Sequence, residues 1–196
     1  MEHDRPLGIE GGWLTPVRRL PSPHCDPRPP GTVIDLLVIH GISLPPGRFG
    51  TGLVERLFTA CLDTAAHPAL AELAGLRVSA HLFIDRCGRL TQFVSFEERA
   101  WHAGESCFEG RARCNDFSIG IELEGCDDLP YEAAQYATLV RVTAVLMRRY
   151  PSLVPGRIVG HCHIAPQRKT DPGPAFDWGH FRRLLAACPK EAAGGV

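Results

Sequence analysis

No stretch of this chain approaches the ~20 consecutive apolar residues that a membrane-spanning helix needs, although it runs to 196 residues. The opening MEHDRPLGIEGG is acidic and lacks the apolar segment of a secretory signal. A cytoplasmic location away from the membrane is therefore expected. No two of the 8 cysteines are spaced as CxxC, which argues against a zinc ribbon or finger; free thiols in a reducing compartment are expected. Neither sign of charge dominates: 21 Lys and Arg against 22 Asp and Glu leave a net charge of −1. That balance offers no electrostatic footprint for nucleic acid or an acidic membrane surface. The pairs Arg148–Arg149 and Arg182–Arg183 read as solvated helix faces. There is no internal repeat and no low-complexity block.

What is present is ordinary globular composition, 44% apolar and 22% charged. The length suits one domain with a substantial core. That domain is expected to cover residues 1–196, with its core at about 13–186 and flexible tails at 1–12 and 188–196. The first thirty or so residues, rich in proline at 21, 23, 27, 29 and 30, read as an extended arm lying on the domain. TVIDLLVIH (32–40) is apolar and β-branched enough for a strand covered on both faces. A Gly/Pro loop, 41–52, follows and is a candidate mobile element beside His40. Short helices are expected at 53–62 and 68–76, the second closed by Gly75.

Residues 78–85 and 89–96 flank Arg86-Cys87-Gly88 as a hairpin. FSIGIELEG (117–125) alternates, with Ile119, Ile121 and Leu123 on one face and Gly120, Glu122 and Glu124 on the other. Apolar positions 139, 142, 145 and 146 form the stripe of a helix over 131–150, ended by Pro151. RIVGH is a short strand and FDWGHFRRLLAAC a terminal helix. The fold class is α/β: a single domain with a mixed central β-sheet flanked by α-helices.

The segment with most chemistry is HCHIAPQRKTDPGPAFD, 161–177. Its prolines suit an irregular loop that folds His161, Lys169 and Asp171 back toward one point. Imidazole nitrogen and carboxylate oxygen are zinc ligands, and three such ligands leave a fourth position for water. His40, at the end of an apolar strand, is the leading third ligand, because ligand sites in open sheets gather at the carboxyl ends of strands. His163, His81 and His102 compete with it. Glu122 is a candidate base, set against a plain solvent-facing strand position; Lys169 would stabilise an oxyanion, set against an ordinary surface lysine. Trp101 and His102 are candidates for a substrate wall, Arg77 and Arg113 for carboxylate anchors. A thiol hydrolase built on Cys162 is the remote alternative.

RRLPSPHCDPRP, LLVIHGISLPPGRFG, LRVSAHLFIDRCGRLTQFV, RAWHAGESCFEGRARCNDFSIGIELEG and GHCHIAPQRKTDPGPAFDW together resemble the zinc N-acetylmuramoyl-L-alanine amidases. The resemblance runs from about Trp13 to Phe181, several long motifs in order. Wider relatives are the phage lysozyme-type amidases and peptidoglycan recognition proteins, some of which bind muropeptide without cutting it. The resemblance implies one zinc ion held by His40, His161 and Asp171, with Glu122 as catalytic glutamate and Lys169 stabilising the oxyanion. It implies a muropeptide groove at Arg77, Trp101 and Arg113, with backbone contacts from Ala165. It further implies a cytoplasmic recycling enzyme acting on a small anhydro-muropeptide; a monomer is expected. Two positions depart from the family pattern. Gly41 stands where asparagine is usual, and His163 stands where aspartate is expected.

Overall fold

The structure, a computed structural model, describes residues 6–188. Strands β1 (Gly8–Glu10) and β2 (Trp13–Thr15) form a hairpin, and β3 (Arg18–Arg19) and β4 (Cys25–Pro27) follow. Then come β5 (Leu36–Ile42) and α1 (Leu53–Phe58), and a 3-10 turn over Pro68–Leu73. The middle of the chain holds β6 (Leu82–Ile84), β7 (Leu90–Gln92), β8 (Glu98–Ala100), β9 (Cys107–Phe108) and β10 (Arg111–Ala112). The last third holds β11 (Ser118–Glu124), α2 (Ala133–Arg149), β12 (Ile158–Gly160), α3 (His161–Ile164) and α4 (Trp178–Ala187).

Among the described residues the central sheet runs β12-β5-β11-β6-β7-β3. Strands β12, β5, β11 and β6 are mutually parallel, whereas β6 and β7 form the expected antiparallel hairpin, so the sheet is mixed. The faces sort by the period-2 alternation of the strands. Leu37, Ile39, Ile119, Ile121 and Leu123 pack on one face with Leu139, Val142 and Leu146 of α2. Leu36 and Val38 turn to the other face, where Ala103, Cys114, Phe117 and Ile164 cover them.

Several expectations change in detail. β5 begins at Leu36 rather than Thr32, because the Thr32 amide is spent in a turn to the Pro29 carbonyl (3.2 Å) and Asp35 is drawn into ion pairs with Arg111 and Arg157. β5 also runs on through Gly41 and Ile42, since β11 pairs with it as far as Glu124. The loop after it is fastened: Glu124 Oε1 accepts from the Gly50 amide (2.6 Å), and the Arg86 guanidinium lies 4.8 Å from the Phe49 ring centre. The region 53–62 is helical only to Phe58, and 68–73 winds as 3-10 helix rather than α.

Residues 8–12, expected within a flexible tail, are instead part of a paired hairpin. Gln92 pins it, accepting from the Leu14 amide (2.7 Å) and donating to the Gly12 carbonyl (2.9 Å). Residues 1–5 and 189–196 of the expected tails lie outside the described residues. The arm is tied down by half-buried Arg28, which donates to the carbonyls of Phe96, Asn115, Asp116 and Ser118.

α2 begins where the Gln135 side chain accepts from the Glu132 amide (3.0 Å). The same buried side chain donates to the carbonyls of Ile84 and Glu124, joining the helix start to the ends of β6 and β11. Leu139 is fully buried on the predicted stripe. Leu139→Ala is expected to lower unfolding free energy in urea by about 2–5 kcal/mol. Arg148→Ala, on the exposed side of the same helix, should change it by less than about 0.5 kcal/mol.

Candidate metal centre

Parallel register brings the site together. Glu122 of β11 lies opposite His40 of β5, and Gly160 of β12 lies opposite Ile39, so the next residue, His161, arrives level with His40. All three therefore stand at the carboxyl ends of neighbouring parallel strands, where ligand sites of open sheets form. His161 is not on an irregular loop as expected: it opens the single turn α3. The chain returns because the Cys162 amide donates to the Asp171 carbonyl (2.9 Å), which brings the Asp171 side chain back against its partner ten positions earlier.

His40 Nδ1 and His161 Nδ1 are 3.0 Å apart, and each is 3.1 Å from Asp171 Oδ2. Zinc–ligand bonds of 2.0–2.1 Å in a tetrahedron would separate the donors by roughly 3.3 Å, so the triangle is close to the size that such an ion spans. Both histidines are buried, and their outward Nε2 atoms already have partners, His102 Nδ1 at 2.9 Å and the Ala103 carbonyl at 3.1 Å. Burial lowers the His40 pKa to about 4, which keeps the ring neutral as a ligand must be. For Asp171, burial works to raise the pKa, but the close approach of the His161 and His40 rings outweighs it and holds the carboxyl below the ordinary range. The three side chains are thus placed to hold a metal ion.

Glu122 sits beside this triangle in a different setting. Its Oε1 is 3.9 Å from His40 Nδ1, and its buried Oε2 has no hydrogen-bond partner among the described residues. A buried carboxyl left like this is costly unless something polar completes it. Burial, reinforced by the nearby charge of Asp171, raises its pKa well above the usual glutamate value; Lys169 pulls the other way. Its face of β11 is not solvent: all seven residues of the strand are buried. Glu124, two residues on, is occupied with the amides of Gly50 and Arg86 and belongs to the loop.

Lys169 is half-buried on the returning segment, and its charge acts on both Glu122 and His40. Ala165 is buried nearby, but its amide donates to the His161 carbonyl and its carbonyl accepts from Arg168 and Lys169. The backbone contact expected of Ala165 is therefore not available from its N–H. Trp101 donates from Nε1 to Asp26 (3.0 Å) and stacks on His24, and Arg113, exposed, pairs with Asp116 (3.2 Å). Arg77 is exposed, one residue before Val78, whose carbonyl lies 3.0 Å from His24 Nδ1.

The competing histidines resolve clearly. His163 is exposed; its Nδ1 accepts from the Gly160 amide (2.9 Å) and its ring lies against Trp178. His81 is buried with Nδ1 accepting from the Gly120 amide. His102, expected at a substrate wall, is instead buried behind His40. The Cys162 thiol is held above its ordinary pKa by burial and by Asp171, which disfavours a thiolate nucleophile. Gly41 meets Tyr131: a Cβ there would lie 2.2 Å from the tyrosine hydroxyl, which donates to the Pro172 carbonyl (2.9 Å) beside Asp171.

Converging N and O donors with an unpartnered buried carboxyl beside them are the working parts of hydrolases that use a metal ion. Residues 30–174 match the N-acetylmuramoyl-L-alanine amidase family, and the chain belongs to it. It is 58% identical over 175 residues to the 1,6-anhydro-N-acetylmuramyl-L-alanine amidase AmpD of Salmonella typhimurium (strain SL1344), covering 89% of this chain and 93% of that protein. The fold matches the crystal structure of a selenomethionine AmpD derivative with a TM-score of 0.88 at 56% identity, over 90% of this chain and 98% of that one. A more distant solved relative is the Escherichia coli amidase AmiD in complex with the substrate anhydro-N-acetylmuramic acid-L-Ala-D-gamma-Glu-L-Lys. It is 30% identical with a TM-score of 0.57, over 91% of this chain and 65% of that one.

The geometry separates ligands from neighbours in a way metal analysis can read. Asp171→Ala should reduce bound metal at least about tenfold in elemental analysis of the purified protein, because a three-ligand site loses its one charged ligand. His163→Ala should leave metal content unchanged.

Proposed function

We propose that this chain is a zinc-dependent amidase that hydrolyses the lactyl amide between 1,6-anhydro-N-acetylmuramic acid and L-alanine in muropeptides released during peptidoglycan recycling. The observation that carries the mechanism is Glu122: a buried carboxyl with a raised pKa and a free oxygen, directly beside the His40–His161–Asp171 triangle. Two nitrogens and one carboxylate oxygen suit zinc better than magnesium or calcium, which prefer all-oxygen shells. When bound there, zinc lowers the pKa of water and polarises a carbonyl.

The residues supply the rest. Glu122 takes a proton from the attacking water as the water oxygen bonds to the lactyl carbonyl carbon. Lys169 stabilises the negative charge that builds on the carbonyl oxygen. Glu122 then returns the proton to the alanine nitrogen as the C–N bond breaks, leaving a lactyl carboxylate and a free peptide amine. Arg77 and Arg113, both exposed, are suited to peptide carboxylates, and the Trp101 ring to the sugar or peptide body. The substrate is a small soluble muropeptide, and the enzyme acts as a monomer in the cytoplasm, without nucleic acid or membrane as partner. The free state of the eight cysteines fits a reducing compartment.

Glu122→Gln should keep one zinc per chain yet lose about 10²- to 10⁴-fold in kcat on a defined anhydro-muropeptide. Chelation should abolish turnover and added zinc restore it. Turnover that persists after complete metal removal, or a Glu122→Gln enzyme as active as the parent, would contradict the proposal. Intact sacculi should be poor substrates beside soluble anhydro-muropeptides; clearing of whole sacculi would move the assignment to a lytic amidase.

A further inference from the structure

Both histidines of the metal centre turn Nδ1 inward, and both outward Nε2 atoms land on two consecutive residues. His40 Nε2 is 2.9 Å from His102 Nδ1, and His161 Nε2 is 3.1 Å from the Ala103 carbonyl. A carbonyl only accepts, so His161 carries its proton on Nε2 and presents a lone pair from Nδ1. For His40 to do the same, His102 Nδ1 must be the acceptor. The His102 proton then sits on Nε2, which faces Ser118 Oγ at 3.2 Å. The chain of donors runs His40 to His102 to Ser118, away from the metal triangle.

The surroundings are built to hold those two residues in place. The Asn115 side-chain oxygen accepts from both the His102 amide (3.1 Å) and the Ala103 amide (2.8 Å). The second lone pair of the Ala103 carbonyl takes Arg168 (2.6 Å), which also reaches the Glu105 carbonyl (2.8 Å). The His102 ring lies against β11 at Gly120, where a Cβ would come within 2.5 Å of the ring. Glycine at that strand position leaves room for the imidazole behind His40.

We propose that His102 and Ala103 form the positioning element of the metal centre, holding His40 and His161 in the tautomer and orientation that ligate through Nδ1. Neither residue touches substrate. The inference rests on the reading of the triangle as a zinc site and extends it to residues that the ligand set does not include. Outer partners of this kind usually alter metal affinity by 10- to 100-fold when removed.

The test is zinc affinity, measured by competition with a fluorescent chelator, together with nitrogen-15 NMR of the histidine rings in the zinc-loaded protein. His102→Phe fills the space but removes the acceptor, and should weaken zinc binding about 10- to 100-fold. His102→Asn places an oxygen near the lost Nδ1 and should recover most of the affinity. In the zinc-loaded parent, His40 should show a protonated Nε2. Zinc affinity of His102→Phe within about twofold of the parent would overturn the proposal, as would His40 ligation through Nε2; the NMR result decides even if that variant fails to fold. Failure of the parent itself to bind zinc would instead sink the zinc reading of the site, a different outcome that the same titration exposes.

Discussion

The parallel register of β12, β5 and β11 is the constraint on which the rest of the site depends. It sets His40 beside Glu122 and delivers His161 to the same level. A slip of one residue in β11 would send Glu122 to the opposite face and put Ile121 or Leu123 next to His40. The register is held by burial on both sides of the sheet, since Leu37, Ile39, Ile119 and Ile121 meet α2 while Leu36 and Val38 meet Phe117 and Ile164. The hydrophobic alternation that organises the core thus also decides which side chains can meet at the metal centre.

Electrostatics then divide the work between two neighbouring carboxyls. Asp171 lies against both histidine rings and stays ionised despite burial. Glu122 has burial and a like charge acting on it and no bond at Oε2, so its proton affinity rises. Two acidic groups whose surroundings push their pKa values apart are suited to different roles, one as ligand and one as proton carrier. Glu124, on the same face as Glu122, shows the contrast: with two backbone amides to bind, it anchors a loop.

Much of the architecture was legible from local pattern. The alternation in 117–125, the stripe at 139, 142, 145 and 146, and the 86–88 turn each follow from periodicity or turn chemistry within a short window. What was not legible depended on partners far along the chain. The N-terminal hairpin is pinned by Gln92, some eighty positions away. The place of His102 behind His40 depends on Gly120 and Asn115, and the tolerance of Gly41 depends on Tyr131. That the Ala165 amide closes the turn from His161 is likewise not visible in the sequence.

The residue types and their order determined the chemistry on offer: nitrogen and oxygen donors at 40, 161 and 171, a carboxyl at 122, and strands and helices that follow from hydrophobic period. Tertiary structure alone decided which donors converge, which nitrogen of each imidazole faces inward, and which of two glutamates is left without a partner. The reason is physical. Side-chain identity and periodicity are local properties, whereas ligand geometry and burial arise from parallel strands joined by long crossovers, and from a segment drawn back by the backbone hydrogen bond between Cys162 and Asp171.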